Sequence, residues 1–305
     1  LLIPAIAAFG IDRFVTRRQV ALLSARSVPY QPKPNKALDY GMLVYCAVIS
    51  VFALAILGMA QFAALVKLWP YNLELTLDNY DFEFSGAGWE NFFNSLRLAF
   101  LTSVIGTAII FVGAYLVEKP RGAGPVRQLV HFFALLPMAV PGLVLGLSYI
   151  YFFNHPYNPL GFIYGTIIIL VLNTVTHFYT VSHVTAVTAL KQMDREFESV
   201  NSSLKVPVYR GFFKVTVPVC FPAILDISIY LFLNAMTTVS AVIFLYAPST
   251  KMASVAAIHM EELGEVAGAA AMAMLIVYAC IVVRLLHLFI TRGLLRRVQA
   301  WRIAG

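Results

Sequence analysis

Long uncharged runs alternate along this chain with short polar interruptions. Met42 to Val66 is 25 residues without a charge. Comparable runs cover Ser95–Val117, with Arg97 near one end, then Leu129–Phe153, Phe162–Ser182, Val219–Tyr246 and Val266–Ile290. About 20 apolar residues in a helix cross a 30 Å hydrocarbon layer. The pattern therefore predicts six transmembrane helices over about 42–66, 95–117, 129–153, 162–182, 219–246 and 266–290. The third holds Pro137, Pro141, Gly142 and Gly146, which predict a kink or close packing.

The longest polar interruption in the second half runs from Asp194 to Pro218. Its charges, Asp194, Arg195, Glu196, Glu198, Lys205, Arg210 and Lys214, exclude it from lipid. Phe197, Val200 and Leu204 recur at helical spacing. Asp194 can cap that helix, and Glu196 and Glu198 fall where its dipole favours negative charge. Pro207 then opens a second short helix with Val208 and Phe212 four apart. Two short amphipathic helices are thus expected to hang from the membrane domain. They form either an ordinary loop or an element that fits a groove on a partner.

Composition narrows the class. Hydrophobic residues make up 60% and charged residues only 12%, against about 25% charged in soluble domains. The net charge of +7 does not point to nucleic acid, because the basic residues sit in loops between apolar runs. Placing the Arg13–Lys36 loop in the cytoplasm puts the Lys119 turn, the 194–218 stretch and the tail on the same side. With Lys191 at the edge of the third region, these four hold 18 of the 22 lysines and arginines. The two longer loops opposite hold eight acids and two lysines. Leu1–Ile11 is apolar and precedes Arg13, Arg17 and Arg18, the reverse of a signal peptide. It reads as the end of a preceding transmembrane helix. Residues 12–38 then form a basic, Pro-rich linker, 39–290 the six-helix domain and 291–305 a basic cytoplasmic tail. The 305 residues are expected to be the C-terminal part of a longer chain.

No P-loop, no H-E-x-x-H and no paired-cysteine spacing occurs, so neither an ATPase site nor a metal or other cofactor is expected. Cys46, Cys220 and Cys280 lie in apolar runs and read as packing residues. Asn173 and Thr176 on the fourth span, and Asn234, Thr237, Thr238 and Ser240 on the fifth, are polar at membrane depth. Such groups either line a path or hydrogen-bond between helices. His177 reads as a satisfied packing histidine rather than a ligand. Asp226 and Arg284 are each costly to bury alone, so they either pair or reach an aqueous vestibule.

The polar stretch resembles the coupling loop of ATP-binding-cassette (ABC) importer permeases. That loop reads roughly E-A-A-x-x-x-G, nine residues, then I-x-L-P. Val215-Thr216-Val217-Pro218 matches its end. Lys205 takes the glycine position and Ser199, Val200 and Asn201 the E-A-A positions, with Glu198 one residue early. Leu136–Gly146, Ala189–Gln192 and Val217–Asp226 resemble the permeases of 2-aminoethylphosphonate importers, a branch near the ferric-iron permeases. The resemblance implies a type I ABC-importer permease fold. It implies an ATPase-coupling loop of Glu198, Ser199, Val200, Asn201, Lys205, Val208, Tyr209, Phe212 and Pro218. The partners implied are ABC ATPase subunits, a second permease half, fused or separate, and an external substrate-binding protein. The substrate implied is 2-aminoethylphosphonate. The alternatives are a ferric-iron or polyamine importer, an ion-coupled secondary transporter and a structural membrane module.

Overall fold

The computed structural model describes residues 10–11, 35–82, 88–119, 124–193, 197, 200 and 203–298. Helix α1, Lys36–Leu65, starts where the Asn35 side chain accepts a hydrogen bond from the Leu38 amide. It is apolar around its whole circumference, and Ala64 is its buried residue. Contact with α10 at one side leaves the rest of its surface for lipid. A hairpin follows, β1 (Val66–Leu68) antiparallel to β2 (Asn72–Leu75). Lys67 Nζ lies 2.6 Å from Glu74 Oε2 across it and holds that carboxyl below its usual range. Both partners are exposed, so the pair adds little stability.

Helix α2, Gly88–Glu118, is the axis of the bundle. Asn94, Leu98, Thr102, Gly106, Ile110, Ala114 and Val117 give it a buried face with a three-to-four-residue repeat from end to end. A Cβ on Gly106 would lie 2.9 Å from Leu231 Cδ1 and 3.0 Å from Val175 Cγ2. Only glycine lets these three helices cross so closely. The Arg127 guanidinium donates to the carbonyls of Val117 and Glu118, closing the carboxyl end of α2 with positive charge.

Three predicted spans are broken rather than straight. Helix α3, Gly124–Leu135, continues as a 3-10 turn to Ala139, and α4, Gly142–Phe153, leaves at 112°. The break sits at Val140, held extended by the proline that follows it. Helices α5 (Ile167–His177) and α6 (Tyr179–Gln192) bend by 58° at Phe178. The helical stretch α7, Val208–Val219, meets α8, Phe221–Thr237, at 75° around Cys220, with Pro222 at the start of α8. Helices α9, Ala253–Glu262, and α10, Val266–Val298, complete the described residues. Among the described residues α1, α2 and α10 are long and apolar enough to cross a membrane, and the three bent pairs raise this to six if each is one span.

The expected fifth helix, 219–246, stops at Thr237. Thr238 is extended and 240–245 forms turns. The run Thr237-Thr238-Val239-Ser240 is β-branched or hydroxylated, which weakens the helix where apolarity alone would extend it. Non-helical backbone at this depth must find partners within the protein. The Asn173 amide donates to the Ala241 carbonyl, and Ser254 Oγ donates to Thr238 O at 2.7 Å. Helix α9 and the β1–β2 hairpin lie in stretches read from sequence as plain outer loops.

Candidate coupling element and polar face

The stretch before α8 presents two opposite surfaces. Lys205 adopts φ 51°, the left-handed conformation that glycine takes without penalty. Val206 and Pro207 lead from it into one α-helical turn, Val208–Gly211. A π-helical turn, Phe212–Thr216, and a last turn, Val217–Val219, with Pro218 at its start, follow. Phe212 is 9% exposed and sits against Tyr115 and Phe111 of α2, with ring centroids 4.7 and 5.9 Å apart. Gly211 and Thr216 are also buried. Val208 at 70%, Tyr209 at 59% and Phe213 at 66% point outward. Arg210 lies over the Tyr209 ring with Cζ 5.9 Å from its centroid. Phe197, Val200 and Leu204 are exposed as well. The element therefore bolts to α2 with one aromatic and offers an apolar, basic-edged surface on the other side.

Phe212 thus faces α2 rather than outward. Val208 and Phe212 are four apart, yet Phe212 is buried against α2 while Val208, at the first helical position, is 70% exposed. Phe213, which spacing did not single out, takes the outward position. Pro218 is exposed just before the bend into α8. Glu198, Ser199 and Asn201 lie outside the described residues, as do Asp194 and Glu196. Lys205 keeps the left-handed backbone at the position where the resembling loops have glycine. Lys205→Gly is therefore expected to stabilise the protein by about 1 kcal/mol. A thermal melt in detergent showing no rise would contradict that assignment.

The polar residues divide into structural and outward-facing groups. Asn173 is fully buried, so it does not line a path within this chain; its amide closes the break after Thr237. Asn173→Ala leaves the Ala241 carbonyl without that donor and should lower stability by about 1–3 kcal/mol. Unchanged unfolding of that variant in detergent would remove the bond from the account. Thr238 is buried too, and its carbonyl is taken by Ser254. Thr176 donates to Leu172 O at 2.8 Å and its hydroxyl meets Tyr149 Oη at 2.8 Å. Ser240 and His177 pack against Gly142, where a Cβ would stand 2.5 Å from Ser240 Oγ and 3.1 Å from His177 Cε1. The His177 ring contacts Phe178, but its Nδ1 is buried without a hydrogen-bond partner, so it is a packing residue left partly unsatisfied.

Of the two readings of Asp226 and Arg284, the buried pair is overturned: both are exposed and no ion pair joins them. The buried side of α8 carries Ile227, Leu231, Phe232, Ala235 and Met236. Asp226, Tyr230, Asn234 and Thr237 recur on the other side at intervals of three or four, exposed or half-buried. Asn234 Nδ2 donates to Tyr230 O at 2.8 Å and Thr237 Oγ1 to Leu233 O at 3.1 Å. A polar face at this depth belongs against water or protein, not lipid.

No protein-family model matches the chain. It is 30% identical over 259 residues to the putative ferric transport system permease protein FbpB 1 of Haemophilus influenzae, covering 83% of this chain and 40% of that protein. It is 26% identical over 254 residues to the putative 2-aminoethylphosphonate transport system permease protein PhnV of Salmonella typhi, covering 81% of this chain and 92% of that protein. The chain thus spans less than half the length of the ferric permease and nearly all of the phosphonate one. A crystal structure of a bacterial alginate ABC transporter, in complex with an alginate-pentasaccharide-bound periplasmic protein, contains a chain of the same fold. The TM-score is 0.69 at 14% identity, covering 84% of this chain and 94% of that one. In sequence, therefore, the chain is similar to transport-system permeases of the ferric-iron and 2-aminoethylphosphonate kinds, and its all-α fold, with up to six apolar spans, is that of a chain in an ABC transporter.

Proposed function

We propose that the chain is one membrane-spanning unit of an ATP-driven importer and that α7 is its seat for the ATPase. The observation that carries this is the two-sided element: Phe212 anchored on α2, with Val208, Tyr209 and Phe213 turned outward in a segment that carries Lys205, Arg210 and Lys214. An exposed apolar surface on a polar segment marks an interaction site. A rigid anchor lets movement of a partner reach the bundle.

ABC ATPase subunits hydrolyse ATP, a second permease half, fused or separate, completes the path, and a soluble binding protein delivers substrate from outside. The lipid bilayer covers α1, and nucleic acid has no place in this scheme. The match to 40% of one permease and 92% of another supports reading the chain as one unit of a pair. The basic loops and tail support a bacterial inner-membrane location with a cytoplasmic C-terminus. The face of Asp226, Tyr230, Asn234 and Thr237 is where the second unit and the path would lie.

Two substrates fit. The 30% identity to a ferric permease favours iron, while near full-length correspondence to a phosphonate permease favours 2-aminoethylphosphonate. Proteoliposomes holding the chain with its partner subunits should take up one of the two only when ATP is supplied. Uptake that continues without ATP and stops with an uncoupler would instead identify an ion-coupled carrier.

A further inference from the structure

Arg97 stands in the third turn of α2, about 14 Å along a helix about 46 Å long. That helix overshoots a 30 Å hydrocarbon layer by only about 8 Å at each end, so the Arg97 backbone lies near the lip of the membrane. An isolated guanidinium there is unfavourable unless it meets water or an anion. Among the described residues no carboxylate pairs with it; Glu90, two turns earlier on the same helix, does not. Beside it lies a cavity of about 360 Å³ lined by Asn94, Arg97, Phe100, Leu101, Ile167, Ser249 and Thr250.

The walls are fixed rather than incidental. Asn94 Nδ2 donates to Ser249 O at 3.0 Å and Lys251 O at 3.3 Å, which ties the α8–α9 connection over α2. Ser95 Oγ accepts from the Ala253 amide at 2.8 Å and holds the same connection one residue on. Thr250 Oγ1 is engaged with the Ala247 amide at 2.9 Å, whereas the Ser249 hydroxyl is exposed and carries no such bond. The cavity thus offers the Arg97 guanidinium and the Ser249 hydroxyl as donors beside an apolar wall of Phe100, Leu101 and Ile167. Guanidinium donors match the planar spacing of oxyanion oxygens, and such charge-assisted bonds exceed neutral ones in strength.

We infer that this cavity, at the end of the bundle that the charge distribution assigns to the outside, binds a phosphoryl-type oxyanion through Arg97. The inference rests on the importer reading for its place at the outer mouth of the path. The oxyanion comes either from a soluble phosphonate or phosphate or from the phosphodiester of a lipid headgroup.

The test uses the chain with its partner subunits in bilayers, carrying Ser249→Cys and Cys46→Ala, and follows labelling by a membrane-impermeant maleimide. Methylphosphonate or inorganic phosphate should slow labelling by roughly tenfold, and tetramethylammonium chloride at equal ionic strength should not. Arg97→Gln should remove the protection, and Arg97→Lys should keep part of it. Protection that appears in phosphatidylglycerol but not phosphatidylcholine bilayers, with soluble phosphate adding nothing, identifies the lipid as the source and still supports the oxyanion site. Equal labelling under all conditions, or protection that survives Arg97→Gln, overturns it. ATP-driven uptake measured in the same bilayers separates the two claims: uptake without protection sinks the oxyanion site alone, and protection without ATP-driven uptake sinks the importer reading alone.

Discussion

Placing aspartate at both Val208 and Tyr209 should reduce ATP-driven uptake at least about tenfold while leaving the folded protein in the membrane. Both side chains point away from the bundle, at 70% and 59% exposure, so carboxylates there disturb no buried packing and cost only the surface contact of Arg210 with the Tyr209 ring. Surface changes of this kind usually move stability by less than about 0.5 kcal/mol. Burying two carboxylates against an apolar groove on a partner is another matter. A desolvated charge without a counter-ion costs several kcal/mol, and each 1.4 kcal/mol is a tenfold loss of affinity. Uptake, ATPase stimulation by loaded binding protein and melting temperature should be measured together. Loss of the first two with an unchanged melt is the expected result. Phe212→Ala should behave oppositely. It removes an anchor packed on Phe111 and Tyr115, so its melt should fall along with its uptake.

Gly142→Val should be the most damaging single change to the bundle. A Cβ alone at this position would already lie 2.5 Å from Ser240 Oγ and 3.2 Å from Ser240 Cβ. Turning the hydroxyl away relieves the first contact but not the second. The segment opposite cannot simply retreat, since Asn173 holds it through the Ala241 carbonyl. Overpacking of this kind costs about 1–3 kcal/mol or more. A sharp drop in melting temperature is expected, partly restored by Ser240→Gly. A variant that melts like the wild type would mean that α4 does not press on the 238–247 segment.

These residues also show what could be read from the chain without coordinates. The uncharged run from Met42 to Val66, the α2 and α10 runs and the polar insertion before α8 were legible, because lipid imposes length and apolarity directly. Pro137 and Pro141 signalled a kink, but the 112° turn depends on where Gly142 can press against Ser240, a long-range fact. The end of α8 at Thr237 was hidden because the run continues without a charge to Tyr246, and the side chains that take the Thr238 and Ala241 carbonyls, Ser254 and Asn173, come from elsewhere in the sequence. Asn173 fitted either a path or an interhelical bond, because a polar group at depth must have a partner, and the structure supplies one in the Ala241 carbonyl. The burial of Phe212 rests on its contact with Phe111 and Tyr115 of α2, a long-range packing that local periodicity does not reveal. The cavity beside Arg97 joins α2, α5 and the α8–α9 connection, so only the tertiary structure brings it together.

The most direct measurement is disulfide or short-spacer cross-linking from Tyr209→Cys in the assembled transporter, with Asp226→Cys as the control on a different face. Capture of the ATPase subunit from position 209, sensitive to ATP, and none from position 226, is the predicted result. Reaction of position 209 with an external, membrane-impermeant reagent in intact cells, with no ATPase captured, would contradict the account at its root.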